Sequence, residues 1–423
     1  MSVLPWGLLP DTAEVGDRGQ LLVAGCDLDA LAEQYGTPLF VYDEAHLRAR
    51  CREAVAAFGD GVAYATKAFL CRAMARLASE EGMHLDVASS GELAVALAAD
   101  VPGERIVLHG NNKSDDELRA ARRAGVGRIV VDSFDEVDRL ERLHVEDGVV
   151  PKVLLRVTPG IEAHTHEYVM TGQDDSKFGF GLSVGDAARA VERAGASGAV
   201  ELVGIHAHIG SQVFVAGFFE QAVQALAPFV VPLDLPELSI GGGIGVAYVE
   251  GETAPSITEW GKVVKAACAD AGITARVSAE PGRAIAASAG ITLYRVGTVK
   301  DVPGIRRYVA VDGGYIDNPR PALYGSGYET FLPRAVTADR SKMVRLVGKQ
   351  CESGDVLVPD AKVPADLRVG DVIATPVTGA YGHSMGSNYN KLPRPAVVFV
   401  AGGDARLVVR RETAEDLLAT DVG

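Results

Sequence analysis

The feature that most constrains this chain is an alternation. Between about residues 60 and 285, short β-branched, apolar runs take turns with helical patterns, and eight such runs can be counted: 62–66, 84–88, 105–109, 128–132, 152–157, 201–208, 237–240 and 276–280. Stretches with helical spacing lie between most of them, among them 72–81, 92–99, 116–123, 135–143, 186–194 and 257–271, several opened by Ser or Asp in capping position. Eight strand–helix units predict an α/β fold, a (β/α)8 TIM-type barrel. In that fold the chemistry sits on the loops at the C-terminal ends of the strands. Lys67, Asp86, His109, Asp132, Arg156, His208, Gly241 and Glu280 all fall at or just past the end of a candidate strand. Solvated loops place some polar residues there by chance, but eight in register are not readily explained that way.

After residue 285 the pattern changes to extended segments with turn signals, at 291–299, 308–312, 343–347, 371–374, 396–400 and 406–409. Residues 28–35 read as a helix ended by Gly36 and Pro38, followed by the apolar run 39–42. The expected organisation is an N-terminal segment, 1–44, contributing to a β domain; a barrel, 45–287; and a β-rich barrel or sandwich, 288–423. A length of 423 residues suits two domains.

A formal charge of −15 without any basic run argues against nucleic acid and against an anionic membrane surface. Five scattered cysteines without a C-x-x-C pair suggest neither a disulfide framework nor a zinc site, and a reducing cytoplasm is expected. The apolar stretch 3–9 lacks a basic leader and is interrupted by Pro5 and Gly7, unlike a signal peptide; no later run has the length to cross a bilayer.

Taken singly, the motifs differ in strength. A lysine ending a strand, as in Tyr64-Ala65-Thr66-Lys67-Ala68, is commonly a snorkelling surface residue. Gly241-Gly242-Gly243-Ile244-Gly245 after an apolar strand suits a phosphate cradle or a tight turn equally. His206 and His208, two apart and so on one strand face, could pair on a metal, but no carboxylate or Cys stands at motif spacing, and no metal is expected.

Joined in order, nine segments resemble one family closely. They are 65–67, 85–93 (LDVASSGEL), 164–180 (HTHEYVMTGQDDSKFGF), 208–212 (HIGSQ), 241–245, 280–283 (EPGR), 312–324 (DGGYIDNPRPALY), 351–355 (CESGD) and 379–390 (GAYGHSMGSNYN). The chain resembles the fold-type III pyridoxal-phosphate decarboxylases over nearly its whole length. The resemblance implies pyridoxal 5'-phosphate as cofactor, an electron sink that makes loss of an α-carboxyl feasible.

Lys67 then carries the cofactor, and Glu280 pairs with the pyridine nitrogen, a carboxylate there favouring the protonated ring; a buried structural salt bridge is the alternative. His208 looks like the imidazole stacked on the ring. Ser211, Gly241, Gly242, Gly243, Gly282 and Arg283 look like the phosphate and substrate-side cradle. Asp86 and Arg156 resemble polar supports, with plain ion pairing as the other reading; His109 and Asp132 are expected to support rather than react.

From the β domain, Cys351 matches the family's proton donor, while inert burial is expected for the other four cysteines. The resemblance also implies meso-2,6-diaminopimelate as substrate, giving L-lysine and carbon dioxide. Arg320 with Tyr324 and Arg283 resembles the clamp on the distal carboxylate, Glu352 the ammonium acceptor, and Tyr381 a contact to cofactor and substrate. Ala68-Phe69 and the loop with His383 and Gly386 depart from the family pattern, the second near the substrate end.

A homodimer with shared sites is implied, the Cys351 loop lying in the partner's barrel mouth. The loop 160–179, long and polar, is expected to close over substrate. The rivals are a relative acting on ornithine, lysine or arginine, and a catalytically silent decarboxylase-like regulator, which would be expected to lack Lys67 or Cys351.

Overall fold

Eight short strands with buried, apolar interiors run parallel in the computed structural model, which describes residues 5–160 and 175–423. The loop expected to close over substrate and the 164–180 motif fall largely on 161–174, outside the described residues. Two compact units are present, one of 50–246 and 254–284, the other of 1–49, 247–253 and 285–423.

In the first unit the strands are Ala63–Ala65, His84–Val87, Ile106–Leu108, Arg128–Val131, Lys152–Thr158, Glu201–His206, Glu237–Ser239 and Arg276–Ser278, each paired in parallel with the next in the chain. Every expected strand is present, with ends displaced by one or two residues. Hydrogen bonds from Ala63 N–H to the Ala279 carbonyl (2.9 Å) and from Ala65 N–H to the Pro281 carbonyl (3.2 Å) join the first strand to the run after the last. This closes the ring and leaves no long unpaired edge. Val107, Val130, Leu154 and Val203 fill the interior as one buried cluster.

Helices begin where the sequence offers a side-chain oxygen: Ser89, Ser114, Ser133 and Ser256 each accept a backbone N–H of the following turn, and Ser114 and Ser256 complete capping boxes with Glu117 and Glu259. Two long helices not named from the sequence are present, Glu44–Phe58 and Gly217–Val230, and the second opens on Gly and contains Pro228, the two residues least compatible with a helical pattern.

The second unit is a mixed sheet ordered Val356–Val363, Lys342–Val347, Arg306–Val311, Gly290–Val302, Leu39–Asp43, Ala396–Ala401, Asp404–Val409, with Val372–Pro376 also pairing with Gly290–Val302. Leu39–Asp43 is fully buried and sits at the middle, antiparallel to Gly290–Val302 and parallel to Ala396–Ala401. The N-terminal segment therefore supplies a central strand of this sheet. Its helix Leu28–Tyr35, capped by the Asp27 carboxylate, adds Leu28 and Leu31 to a core shared with Leu39, Val41, Ile291, Leu293, Phe331 and Val398. Strand Val356–Val363 escaped the sequence reading because Pro359 interrupts it. Among the described residues no helix is long and apolar enough to cross a membrane.

Leu39 is fully buried in the central strand of this unit. Leu39→Ala is expected to cost about 2–5 kcal/mol, whereas Val145→Ala, on an exposed helix face, costs close to nothing. Urea midpoints read both, and equal midpoints would contradict the packing described.

Candidate active site

The C-terminal ends of the barrel strands carry a connected set of polar side chains. Lys67 follows the first strand in a single 3-10 turn, Thr66–Ala68. The Thr66 hydroxyl donates to the Asp86 carbonyl (2.8 Å), and the Tyr64 hydroxyl donates to the Phe69 carbonyl (2.7 Å), so the turn is fixed on both sides. Its ammonium lies 3.2 Å from Asp86 Oδ2; the lysine side chain is half exposed and the aspartate is buried. A snorkelling surface lysine would not meet a buried carboxylate.

Glu280 is buried and holds the centre. Its Oε2 faces His206 Nε2 at 3.0 Å, and its Oε1 accepts the Ser239 hydroxyl at 2.8 Å. His109 Nε2 lies 3.4 Å from Glu280 Oε1 and 3.6 Å from Asp86 Oδ1, bridging the two carboxylates. Burial pushes the Glu280 carboxyl up, but the imidazoles of His206 and His109 outweigh it and hold the group well below the ordinary carboxylate range. It is therefore ionised at neutral pH. The ligand atoms of His109, His206 and Glu280 lie within 4.8 Å of one another, close enough for a metal ion. The nitrogens that would bind it are those that face Glu280, so a metal would have to break the contacts that build the cluster.

His206 and His208 do not act as a pair. The strand ends at His206; His208 lies beyond it, its Nδ1 accepting the Gly242 N–H at 3.1 Å. That bond places the ring proton on Nε2. Burial first, then the positive charges of Arg156 and Lys67, push His208 well below its ordinary range, leaving a neutral ring. Arg156 lies within its strand rather than at its end, 3.8 Å from Asp132 and 4.2 Å over the Phe178 ring. Asp132 also accepts the Gly179 N–H.

The glycine run is a turn that admits no side chain. A Cβ at Gly242 would lie 2.2 Å from the Glu280 carbonyl oxygen, and one at Gly243, where φ is +111°, would lie 2.0 Å from that of Gly210. Gly241 and Gly242 spend their N–H groups on Ser239 Oγ and His208 Nδ1. The Gly243 N–H has no hydrogen bond to a described residue. Arg283 donates to Ser211 Oγ at 3.0 Å, and at Gly282 a Cβ would approach the Ala65 carbonyl to 2.8 Å, which is how the segment 280–283 packs against the lysine turn.

The remaining expected residues belong to the other unit. Cys351 is exposed, unlike the four other cysteines, and its N–H donates to Asn390 Oδ1 at 3.2 Å. Asp355 fixes this loop by accepting the N–H groups of Gln350 (3.0 Å) and Tyr315 (2.8 Å). Glu352 accepts the Tyr389 hydroxyl at 2.6 Å. Arg320 opens the short helix Arg320–Tyr324, is buried, stacks 3.5 Å over the Tyr248 ring and donates to Ser326 Oγ at 3.1 Å; its Nε and Nη1 are buried without a hydrogen-bond partner among the described residues. Tyr324 ends that helix and is half-buried, and Tyr381 takes φ +58°, the left-handed region. His383 is buried, edge-on to Phe40, and pushed down to about 4 by burial and by Arg394, so this departure from the family pattern is a packed residue.

Residues 44–287 match the pyridoxal-binding domain of the pyridoxal-dependent decarboxylases. The chain belongs to the pyridoxal-dependent decarboxylases. The diaminopimelate decarboxylase of Mycobacterium tuberculosis is 51% identical over 96% of this chain and 95% of its own, and that of Bacillus subtilis is 47% identical over 98% of each. The crystal structure of the M. jannaschii diaminopimelate decarboxylase in complex with L-lysine superposes with a TM-score of 0.91 at 31% identity, covering 98% of both chains. The enzyme is thus a pyridoxal-phosphate-dependent decarboxylase.

The barrel mouth fits that cofactor. It offers an amine on a fixed turn, an ionised buried carboxylate, a neutral imidazole, and an N–H, a hydroxyl and a guanidinium near one another at Gly243, Ser211 and Arg283. Sequence reasoning missed Ser239, Tyr248 and Tyr389, and weighed for His206 only a metal pairing that it set aside, not a contact to Glu280. The one signal in the sequence was a histidine inside an apolar strand.

Gly243→Ala is expected to weaken pyridoxal 5'-phosphate binding more than tenfold, since the new methyl meets a carbonyl at a backbone angle that alanine resists. Absorbance titration of the apoprotein reads this, and unchanged affinity would contradict the role given to the turn.

Proposed function

We propose that this decarboxylase acts on meso-2,6-diaminopimelate, releasing carbon dioxide and leaving L-lysine, the last step of lysine biosynthesis. The observation that carries the substrate assignment is Arg320. A buried guanidinium with two nitrogens unpartnered among the described residues is costly unless an anion arrives to meet it. Ornithine, lysine and arginine have no distal carboxylate to offer; diaminopimelate has one. The names of the relatives at 51% and 47% identity point the same way.

When bound, pyridoxal phosphate supplies the sink for the electron pair left as carbon dioxide departs. Lys67 would hold its aldehyde and give it up to the substrate amine, with Asp86 beside the lysine nitrogen. Glu280 would accept the ring N–H, which favours the protonated ring, and the neutral His208 would pack on the ring face. Ser211, Gly243 and Arg283 would hold the phosphate, while Gly241, Gly242 and Gly282 would give the backbone its close approach. Arg320 and Tyr324, with Arg283, clamp the distal carboxylate; Glu352 accepts the distal ammonium, and Tyr381 contacts cofactor and substrate. Cys351 delivers the proton that replaces the lost carboxyl at the α-carbon.

On this reading residues 45–287 form the cofactor-binding domain and 288–423, joined by 1–44, the domain with the proton donor and recognition loops. The chains act as a homodimer, the Cys351 loop of one copy completing the barrel mouth of the other. The exposed thiol supports this, because an inert cysteine is ordinarily buried. Five cysteines without a disulfide fit the cytoplasm.

Arg320→Leu is expected to lower kcat/KM for meso-diaminopimelate about a hundredfold or more with the Lys67 adduct still formed; comparable turnover of ornithine by the unaltered enzyme would overturn the substrate assignment. Lys67→Ala and Cys351→Ala chains, each inactive, should regain activity when refolded together, up to about a quarter of the unaltered level for random pairing with one intact site per heterodimer. No recovery would mean that each site is made within one chain. Borohydride reduction and mass spectrometry should find the pyridoxyl group on Lys67, and an adduct elsewhere would remove the foundation.

A further inference from the structure

His206 has no task in the mechanism above. It ends its strand between Ile205 and Ala207, both buried, and is itself 1% exposed. Its Nε2 meets Glu280 Oε2 at 3.0 Å, while its Nδ1 is buried with no hydrogen-bond partner among the described residues. An imidazole gives up its hydration on burial, and here the carboxylate contact is what offsets that loss. A strand that needed only packing at this point would be better served by an apolar residue. His109 stands at right angles to it, ring centroids 5.0 Å apart, and faces Glu280 Oε1 at 3.4 Å. With the Ser239 hydroxyl at 2.8 Å, both carboxylate oxygens are held from different strands, and the group is not free to turn.

We propose that His206 and His109 are positioning residues that hold Glu280 ionised and fixed in orientation, and thereby set the protonation of the ring nitrogen of bound pyridoxal phosphate. The inference rests on the role given to Glu280 above. A buried carboxylate deprived of donors takes up a proton; it then presents an O–H where the ring needs an acceptor, and the ring loses its charge. The other charged groups around the cluster do not replace the histidines. Asp86 is itself an anion, Lys67 is spent on Asp86, and Arg156 is turned toward Asp132 and Phe178.

The test uses binding to the full-length apoprotein, independent of turnover, with two probes: pyridoxal 5'-phosphate and its 1-deaza analogue, in which a carbon replaces the ring nitrogen. The unaltered protein should prefer the natural cofactor, and Glu280→Gln should abolish that preference. His206→Leu should cut the preference about tenfold, the effect of losing one hydrogen bond to a charged group, while affinity for the analogue stays unchanged; His206→Gln, which retains an N–H donor, should recover most of it. Should the leucine variant fail to fold, His206→Phe keeps the ring's bulk against His109 and takes its place. Equal weakening of both probes would make His206 a packing residue and overturn the proposal, as would an unchanged preference. If Glu280→Gln keeps the preference, the role of Glu280 itself is wrong, an outcome separate from failure at His206 alone.

Discussion

The barrel mouth depends on keeping one buried carboxylate charged. Glu280 sits where burial alone would neutralise it, and several kcal/mol would be lost if the charge stood without partners. His206, Ser239 and His109 remove that penalty from three different strands or strand ends. Asp86 repeats the arrangement on a smaller scale, with Lys67 as its counterion and the same His109 alongside. The two carboxylates thus mark two ends of one polar network, one beside the Lys67 amine and the other held by His206 and Ser239.

Such a network can be assembled only because the strands are parallel and closed. Parallel strands deliver their C-terminal ends to one rim, and the bonds from Ala63 and Ala65 to Ala279 and Pro281 bring residues more than two hundred positions apart into contact. The same closure puts Gly282 against Ala65 and so ties the segment after Glu280 to the lysine turn. Glycine is required there and at 242 and 243 by contact with neighbouring carbonyls, as well as by backbone angle. Of the two readings the sequence left open for the glycine run, a phosphate cradle or a tight turn, the structure shows a turn, with the amides of Gly241 and Gly242 already committed.

The second unit uses a different economy. Its central strand comes from the start of the chain, so its core is complete only when residues far apart in sequence meet. In Arg320 the Tyr248 face and Ser326 hold the guanidinium, and its Nε and Nη1 are left without a hydrogen-bond partner among the described residues. Asp355 does the same for the Cys351 loop, fixing the backbone while leaving the thiol exposed.

Local chemistry by itself determined the eight barrel strands and the helix starts at Ser89, Ser114, Ser133 and Ser256, because period and capping are properties of neighbours in the chain, while the family followed from the resemblance of nine segments in order. It was silent where local signals conflict with the fold: Pro359 hid a strand, Gly217 and Pro228 hid a helix, and nothing near His206 in the chain pointed to its carboxylate partner. Only the tertiary structure decided that His206 and His208 serve different partners, that the amides of Gly241 and Gly242 are spent, that Leu39–Asp43 is a central strand, and that Arg320 has unmet donors. Each of these depends on which distant carboxylate, carbonyl or ring comes within about 3.5 Å, and that is fixed by packing rather than by sequence spacing.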